Sequence, residues 1–474
     1  MLILRWPDAP IFRPLPDTPM TRPAALVLLL VLGACASAPP APPPAPSPST
    51  PAPSASVPRS ADSATAPSAP RNVVLFIADG FGPASATLGA AAKGAPLAFD
   101  SLLVGSVETS ATDSRVTDSA ASATAYACGI KTYNGAIAVD SLGRPCRTVV
   151  EAAEDAGYAT GLVATSRITH ATPASFAAHV ESRGEEAEIA RQLAASGVDL
   201  LMGGGLGMFT GETADGVLRG MADRWDVATD RAGFDALDGL PAAALLARSH
   251  LAYEIDRDET DQPSLAEMTT RALDLLAASE DGRERGFFVM IEASRIDHAG
   301  HGNDPAAHLG DVLAYDAAVA AALAWAAADG QTLVVMTADH ETGGMTLGRD
   351  GVYRWDPAPL LAATASFERM TERLAAGGDP AAVVREGLAL GALPEGVEEA
   401  VRGAIASGDP YALGPVVREL ASEPAGIGWT TGGHTAVDVG LYAFGPGAAA
   451  FSGRMANDAV GRALFRTLGL SRRP

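Results

Sequence analysis

Three short stretches of the chain are apolar at almost every position. They are Asn72–Ala78 (NVVLFIA), Gly286–Ile291 (GFFVMI) and Thr332–Thr337 (TLVVMT), and none alternates polar with apolar residues. Short, β-branched and aromatic runs of this kind suit strands buried on both faces. Each is followed at once or within two residues by a carboxylate: Asp79, Glu292 and Asp339. Between them the pattern shifts to a helical period. Ser264–Ala278 opens with Ser264 and Glu267 at capping-box spacing and sets Leu265, Met268, Ala272 and Leu275 on one face. Ala317–Ala328 is a second such helix, and Val149–Ala156 followed by Tyr158–Ala164 reads as a helix–strand pair. Helices alternating with doubly buried strands predict an α/β fold, with a large, mostly parallel sheet sandwiched between helices. Sites in such sheets form beyond the carboxyl ends of the strands. The three acids would then share one edge, where their mutual repulsion calls for cations.

A different pattern marks Val116–Gly129 (VTDSAASATAYACG). Asp118 is a good N-cap type, and the alanines after it favour helix. Ser119 would therefore stand at a helix N-terminus, where free N–H groups and the helix dipole favour a phosphate. Of the eight histidines, His170, His298, His301, His340 and His434 sit in polar, motif-like settings; His179, His250 and His308 read as structural or surface residues. Asp297 and His301 are four apart, so one helical turn can aim both at one ion. Asp339 and His340 are adjacent at a strand end, and His434 lies in GGHTA just before the strand-like run Val439–Phe444. Mixed imidazole–carboxylate sets suit zinc, and all-oxygen sets suit magnesium.

Composition narrows the picture further. The chain has 474 residues, 47% of them hydrophobic, enough for a large core. Its formal net charge is −22, which opposes binding to nucleic-acid backbones, so no nucleic-acid surface is expected. An anionic substrate would need a local positive site made by metals or an arginine. Met20–Cys35 has a basic start, a short apolar centre and a Leu-Gly-Ala-Cys end that resembles a bacterial lipobox. Residues 1–35 are thus expected to be an export signal, with Met20 as an alternative start and a lipid on Cys35. Residues 36–70, nearly all Ala, Pro, Ser and Thr, are expected to form a disordered tether, with folding from Arg71. The protein would be exported, periplasmic or at the cell surface, and held to a membrane. Cys128 and Cys146 are compatible with a disulfide or with free thiols. Between about 345 and 430 the composition shifts to Ala, Gly, Leu and Glu, with helix-like stretches at Asp379–Leu388 and Glu398–Ser407, which reads as an insertion.

Six segments, in order, resemble the alkaline phosphatases: ADGFG (78–82), TDSAASATAYACGIKTYNGAI (117–137), HATPASFAAHVESR (170–183), EASRIDHAGH (292–301), TADHETGG (337–344) and GGHTAVDVGLYAFGP (432–446). The resemblance implies a phosphate monoesterase whose nucleophile is Ser119, working through a phosphoserine intermediate, with Arg183 binding phosphate. It implies two zinc ions, one held by Asp297, His301 and His434 and one by Asp79, Asp339 and His340. Asp79, Thr172 and Glu292 would hold a third ion, usually magnesium. His170 stands where some members have aspartate, and His298 where some have lysine, both near the third ion. The family also suggests a homodimer and a cap- or crown-like role for the insertion at 345–430. The competing readings are a phosphodiesterase or sulfatase on the same scaffold, and a non-catalytic phosphate- or metal-binding lipoprotein.

Overall fold

The computed structural model describes residues 69–210, 216–407 and 412–472. The expected signal (1–35) and all but the last two residues of the expected tether (36–70) lie outside them. In chain order the strands are β1 (Asn72–Ile77), β2 (Leu103–Glu108), β3 (Ala159–Arg167), β4 (Leu200–Gly204), β5 (Asp226–Ala228), β6 (Ala242–Leu245), β7 (Phe287–Glu292) and β8 (Thr332–Thr337). Four short strands follow: β9 (Glu341–Thr342), β10 (Met345–Leu347), β11 (Ile427–Trp429) and β12 (His434–Thr435). The chain then returns through β13 (Val439–Phe444) and β14 (Gly453–Ala456).

Ten of these form one sheet in the order β14-β2-β13-β8-β1-β7-β3-β4-β6-β5. All its strands point the same way except β13, which pairs antiparallel with both β8 and β2. The sheet is therefore mostly parallel, as the apolar runs require. Every residue of β1, β7 and β8 is buried, on both faces. Each large side chain among them contributes about 1.5–3 kcal/mol by leaving water. Register aligns their ends: Ile77 lies beside Glu292 on one side and Thr337 on the other. Asp79, Glu292 and Asp339 thus emerge at one edge.

The helix beginning at Ser264 forms as its capping box predicts, over Leu265–Ala278. The one expected over Ala317–Ala328 is longer, Pro305–Asp329, because Pro305 at its first position and the Asp304 carboxylate, accepting from Ala306 and Ala307 N–H, start it earlier. Cys128 and Cys146 are joined in a disulfide.

The segment between β9 and β12 builds an apolar cluster of its own. It leaves along β10 and returns along β11, which pair antiparallel, so its ends are held together. Its helices Phe367–Ala375, Pro380–Gly387, Val397–Ala406 and Leu413–Ala425 close a separate apolar cluster around Met370, Val384, Val401 and Val417. Just inside that neck, β9 pairs with β12 and places His434 opposite Thr342. The insertion therefore brings His434 back to His340 rather than displacing it.

Candidate active site

Ser119 is the first residue of a buried helix, Ser119–Cys128. The Asp118 carboxylate caps that helix by accepting from Ala121 N–H at 3.0 Å, and it also accepts from Gly135 N–H at 3.0 Å. Arg183 Nη1 donates to the same carboxylate at 3.0 Å, which anchors the guanidinium beside the helix start. The helix is locked to the end of β8, with Ser122 Oγ donating to Asp339 O at 2.9 Å and Tyr126 OH to Ala338 O at 2.6 Å. These bonds set Ser119 Oγ 3.3 Å from His340 Nε2.

Three groups of side chains each bring their ligand atoms within 4.8 Å of one another: Asp79 with Asp339 and His340; Asp297 with His301 and His434; and Asp79 with His170 and Glu292. In the first, His340 Nε2 lies 3.2 Å from Asp339 Oδ2 and 3.6 Å from Asp79 Oδ1, all out of reach of water. In the second, Asp297 and His301 share the helix Arg295–Gly302, and His301 Nε2 is 3.3 Å from Asp297 Oδ2. The two sets adjoin, since the His340 and His434 rings stack with centroids 3.5 Å apart. Thr342 links them too, its hydroxyl meeting Asp297 Oδ1 at 2.5 Å and His340 Nδ1 at 3.2 Å. Gly80 makes room for this crowding: a Cβ there would lie 2.6 Å from the Asp297 Cα.

The donor chemistry fits cations in all three groups. His301 Nδ1 donates to Gly432 O at 2.7 Å and His434 Nδ1 to Thr117 O at 2.8 Å. With both Nδ1 atoms so engaged, the two Nε2 atoms face each other 3.1 Å apart, and a proton on His301 or a cation must lie between them. Burial, then the nearby Asp339 charge, pushes the Asp79 carboxyl well above the usual range, and burial, then Asp297, pushes Asp339 up to about 8. Burial also raises Glu292. For Asp297 burial is outweighed by the hydrogen bond from His301, which holds it well below the usual range. Burial would lower His301, but Asp297 raises it to about 9. Among the described residues, both Asp79 oxygens, Asp339 Oδ2, Glu292 Oε1, Thr172 Oγ1 and His170 Nδ1 are buried without a hydrogen-bond partner. So many orphaned oxygens are costly unless a cation accepts them.

Every site residue expected from the sequence lies in this region. His170, placed near the third group by resemblance, offers a ligand atom within it, and its Nε2 accepts from Arg183 Nη2 at 3.1 Å. Thr172 is buried two residues further on. His298 packs against His170, with ring centroids 5.4 Å apart. His250, read from the sequence as structural or surface, joins this imidazole cluster, 4.3 Å from His298. His308 and His179 are structural, bonded to Ser85 Oγ and to Glu151. Sequence reasoning missed Thr342, although TADHETGG contains it, because its role depends on which carboxylate the fold sets above it.

The sheet, the serine at a helix start and the paired acid–histidine sets together form a site suited to metal-assisted hydrolysis of a phosphate ester. A sequence profile of the alkaline phosphatases matches residues 70–470. The repressible alkaline phosphatase of Saccharomyces cerevisiae is 40% identical over 79% of this chain and 76% of its own length. Alkaline phosphatase 3 of Bacillus subtilis is 38% identical over 84% of this chain and 89% of its own. Among solved structures, the cold-active alkaline phosphatase of a psychrophilic Shewanella superposes with a TM-score of 0.77 at 33% identity, covering 84% of this chain and 99% of that one. A variant of the TAB5 alkaline phosphatase, with Mg bound in its M3 site, superposes with a TM-score of 0.64 at 30% identity, covering 85% and 99%. The chain belongs to the alkaline phosphatase family, whose enzymes are metal-dependent phosphoric monoester hydrolases.

Proposed function

We propose that Ser119 is the nucleophile of a two-step phosphate monoester hydrolysis. Ser119 Oγ bonds to phosphorus as the bond from phosphorus to the ester oxygen breaks, and the alcohol leaves carrying the proton that Ser119 gives up; water then attacks the phosphoserine, one of its protons returns to Ser119 Oγ, and phosphate is released. Arg183, anchored by Asp118, holds two nonbridging oxygens of the phosphate with its guanidinium fork. Asp297, His301 and His434 hold one zinc ion, and Asp79, Asp339 and His340 hold a second. Asp79, Thr172 and Glu292 hold magnesium, with His170 and His298 beside it; the Mg in the TAB5 variant supports an ion of that kind. Two zinc ions held there would supply charge stabilisation to the entering and leaving oxygens and would ease ionisation of the Ser119 hydroxyl. Thr117 O and Gly432 O, accepting from Nδ1 of His434 and His301, fix the rings that face Asp297.

The observation that carries this reading is Ser119 Oγ at 3.3 Å from His340 Nε2, beside both Asp79 oxygens and Asp339 Oδ2, which are buried without a hydrogen-bond partner. We further propose an exported, lipid-anchored enzyme, residues 1–35 being its signal and 36–70 its tether, that acts as a homodimer on small phosphate monoesters. The test is the rate on an aryl phosphate against the rate on an aryl diester, for protein loaded with zinc and magnesium, beside Ser119→Ala. Monoester turnover that falls at least about 10³-fold in the variant supports the reading. Preference for the diester, or unchanged turnover in Ser119→Ala, would overturn it.

A further inference from the structure

The helix Arg295–Gly302 carries Asp297 and His301, yet it has only eight residues and is not part of the sheet. Both of its ends are held by the inserted segment. At the start, Arg295 is buried, with a side chain 2% exposed, and its Nη2 donates to both carboxylate oxygens of Glu368 at 2.9 Å. Glu368 lies in the first turn of the inserted helix Phe367–Ala375. The Arg295 guanidinium also lies 3.7 Å from the centre of the Tyr253 ring and donates from Nη1 to His298 Nδ1 at 2.9 Å. One arginine thus joins the insertion to an imidazole beside the third ligand group. Just past the far end, the Asp304 carboxylate accepts from Phe367 N–H at 2.7 Å while it caps the following helix. Asn303, in the left-handed region at φ 47°, accepts from Arg418 Nη1 of the inserted helix Leu413–Ala425 at 3.3 Å.

We propose that the inserted segment is a brace for the zinc-bearing helix, and that Glu368 is its main positioning residue. The proposal rests on Asp297, His301 and His434 holding a zinc ion. A short helix in which a buried guanidinium has one carboxylate partner is sensitive to loss of that partner. Without Glu368, Arg295 must seek water or another acceptor. The helix start and His298 would shift with it, and the ligands Asp297 and His301 would lose their fixed aim. Groups that orient metal ligands typically affect metal affinity 10–100-fold.

The experiment measures zinc release from the full, zinc-loaded protein into a colorimetric chelator, alongside thermal melting. It compares the wild type with Glu368→Ala, Glu368→Asp and Arg373→Ala. Arg373 ties the same inserted helix to Glu259 instead of to Arg295, so it controls for looser docking alone. Glu368→Ala should release one zinc about 10-fold faster than the wild type, and Glu368→Asp should return the rate to within about 3-fold. Arg373→Ala should melt lower or unchanged, with zinc release unaltered. Zinc release at the wild-type rate in Glu368→Ala overturns the brace, as does equal acceleration by Arg373→Ala. If the loaded wild type retains no zinc, the ligand assignment itself falls, which is a distinct result.

Discussion

The two adjoining ligand sets are built by different means. Asp79 and Asp339 follow the last residues of β1 and β8, two central strands buried on both faces, and His340 is the next residue. No member of that set is exposed. The other set stands on a short helix and a two-residue strand, and the His301 side chain is 41% exposed. Its geometry is supplied from outside: by Gly432 O and Thr117 O on the ring nitrogens, by Thr342 on Asp297, and by the insertion on the helix ends. A set grown from the sheet is rigid because the core is rigid, and it is dry enough that its charges demand cations. If both sets hold ions as proposed, the set on borrowed supports is the one expected to exchange its ion faster, since His301 is 41% exposed. The contrast suggests one site that stays loaded and one that needs upkeep.

Substitutions can break this contrast. The largest effect is expected from Asp339→Asn, which removes a charge from the dry set. Turnover of an aryl phosphate should fall at least about 10³-fold and not recover with excess zinc. Recovery would mean that the buried set is as adaptable as the exposed one. His301→Ala should cost less, about 10–10² in kcat/KM, and be partly restored by added zinc, since water can enter the vacated position. A zinc titration of activity separates the two behaviours. Gly80→Ala probes the seam between the sets. Gly80 has φ 76°, its N–H donates to Asp339 Oδ1 at 3.2 Å, and an added Cβ would press on Asp297. Loss of about 1–3 kcal/mol of stability is expected from strain and overpacking, read by denaturant unfolding, together with weakened activity.

The last effect, on stability alone, concerns a half-buried acid with no cation set to serve. Burial pushes Glu154 up to about 7 from 4.5, although Thr160 donates to it. A carboxyl raised on folding contributes stability that is complete below its unfolded pKa and is lost as pH rises through about 7. Between pH 5 and 8 the wild type should therefore lose about 1–3 kcal/mol relative to Glu154→Gln. Parallel stability curves for the two proteins would show that burial of this acid costs nothing.

The same contrast explains what could be read before any coordinates. The strand-borne acids were legible because continuous apolar runs announce doubly buried strands, and Asp118–Ser119 because capping chemistry is local. Asp297 and His301 were legible from their helical spacing. The reversed direction of β13 was not, since an apolar run has no polarity. Short strands such as LLMGG and AAAL, poor in β-branched residues, gave no strand signal. Nor could the supports of the exposed set be read. The β9–β12 pairing spans the whole insertion, and the Arg295–Glu368 contact joins residues 73 apart in sequence. Separations of that kind are fixed by tertiary packing, which leaves no local pattern. The resemblance supplied Thr172, Arg183 and His434, whose roles no spacing alone revealed.

The central claim is that Ser119 takes the phosphoryl group. Protein loaded with zinc and magnesium can be mixed with an aryl phosphate, quenched in acid during turnover and digested for peptide mass mapping. The account predicts one phosphoryl group on the peptide containing Ser119, on that residue, and none in Ser119→Ala. Turnover with no modified peptide at any quench time, or with the group on another residue, would contradict it.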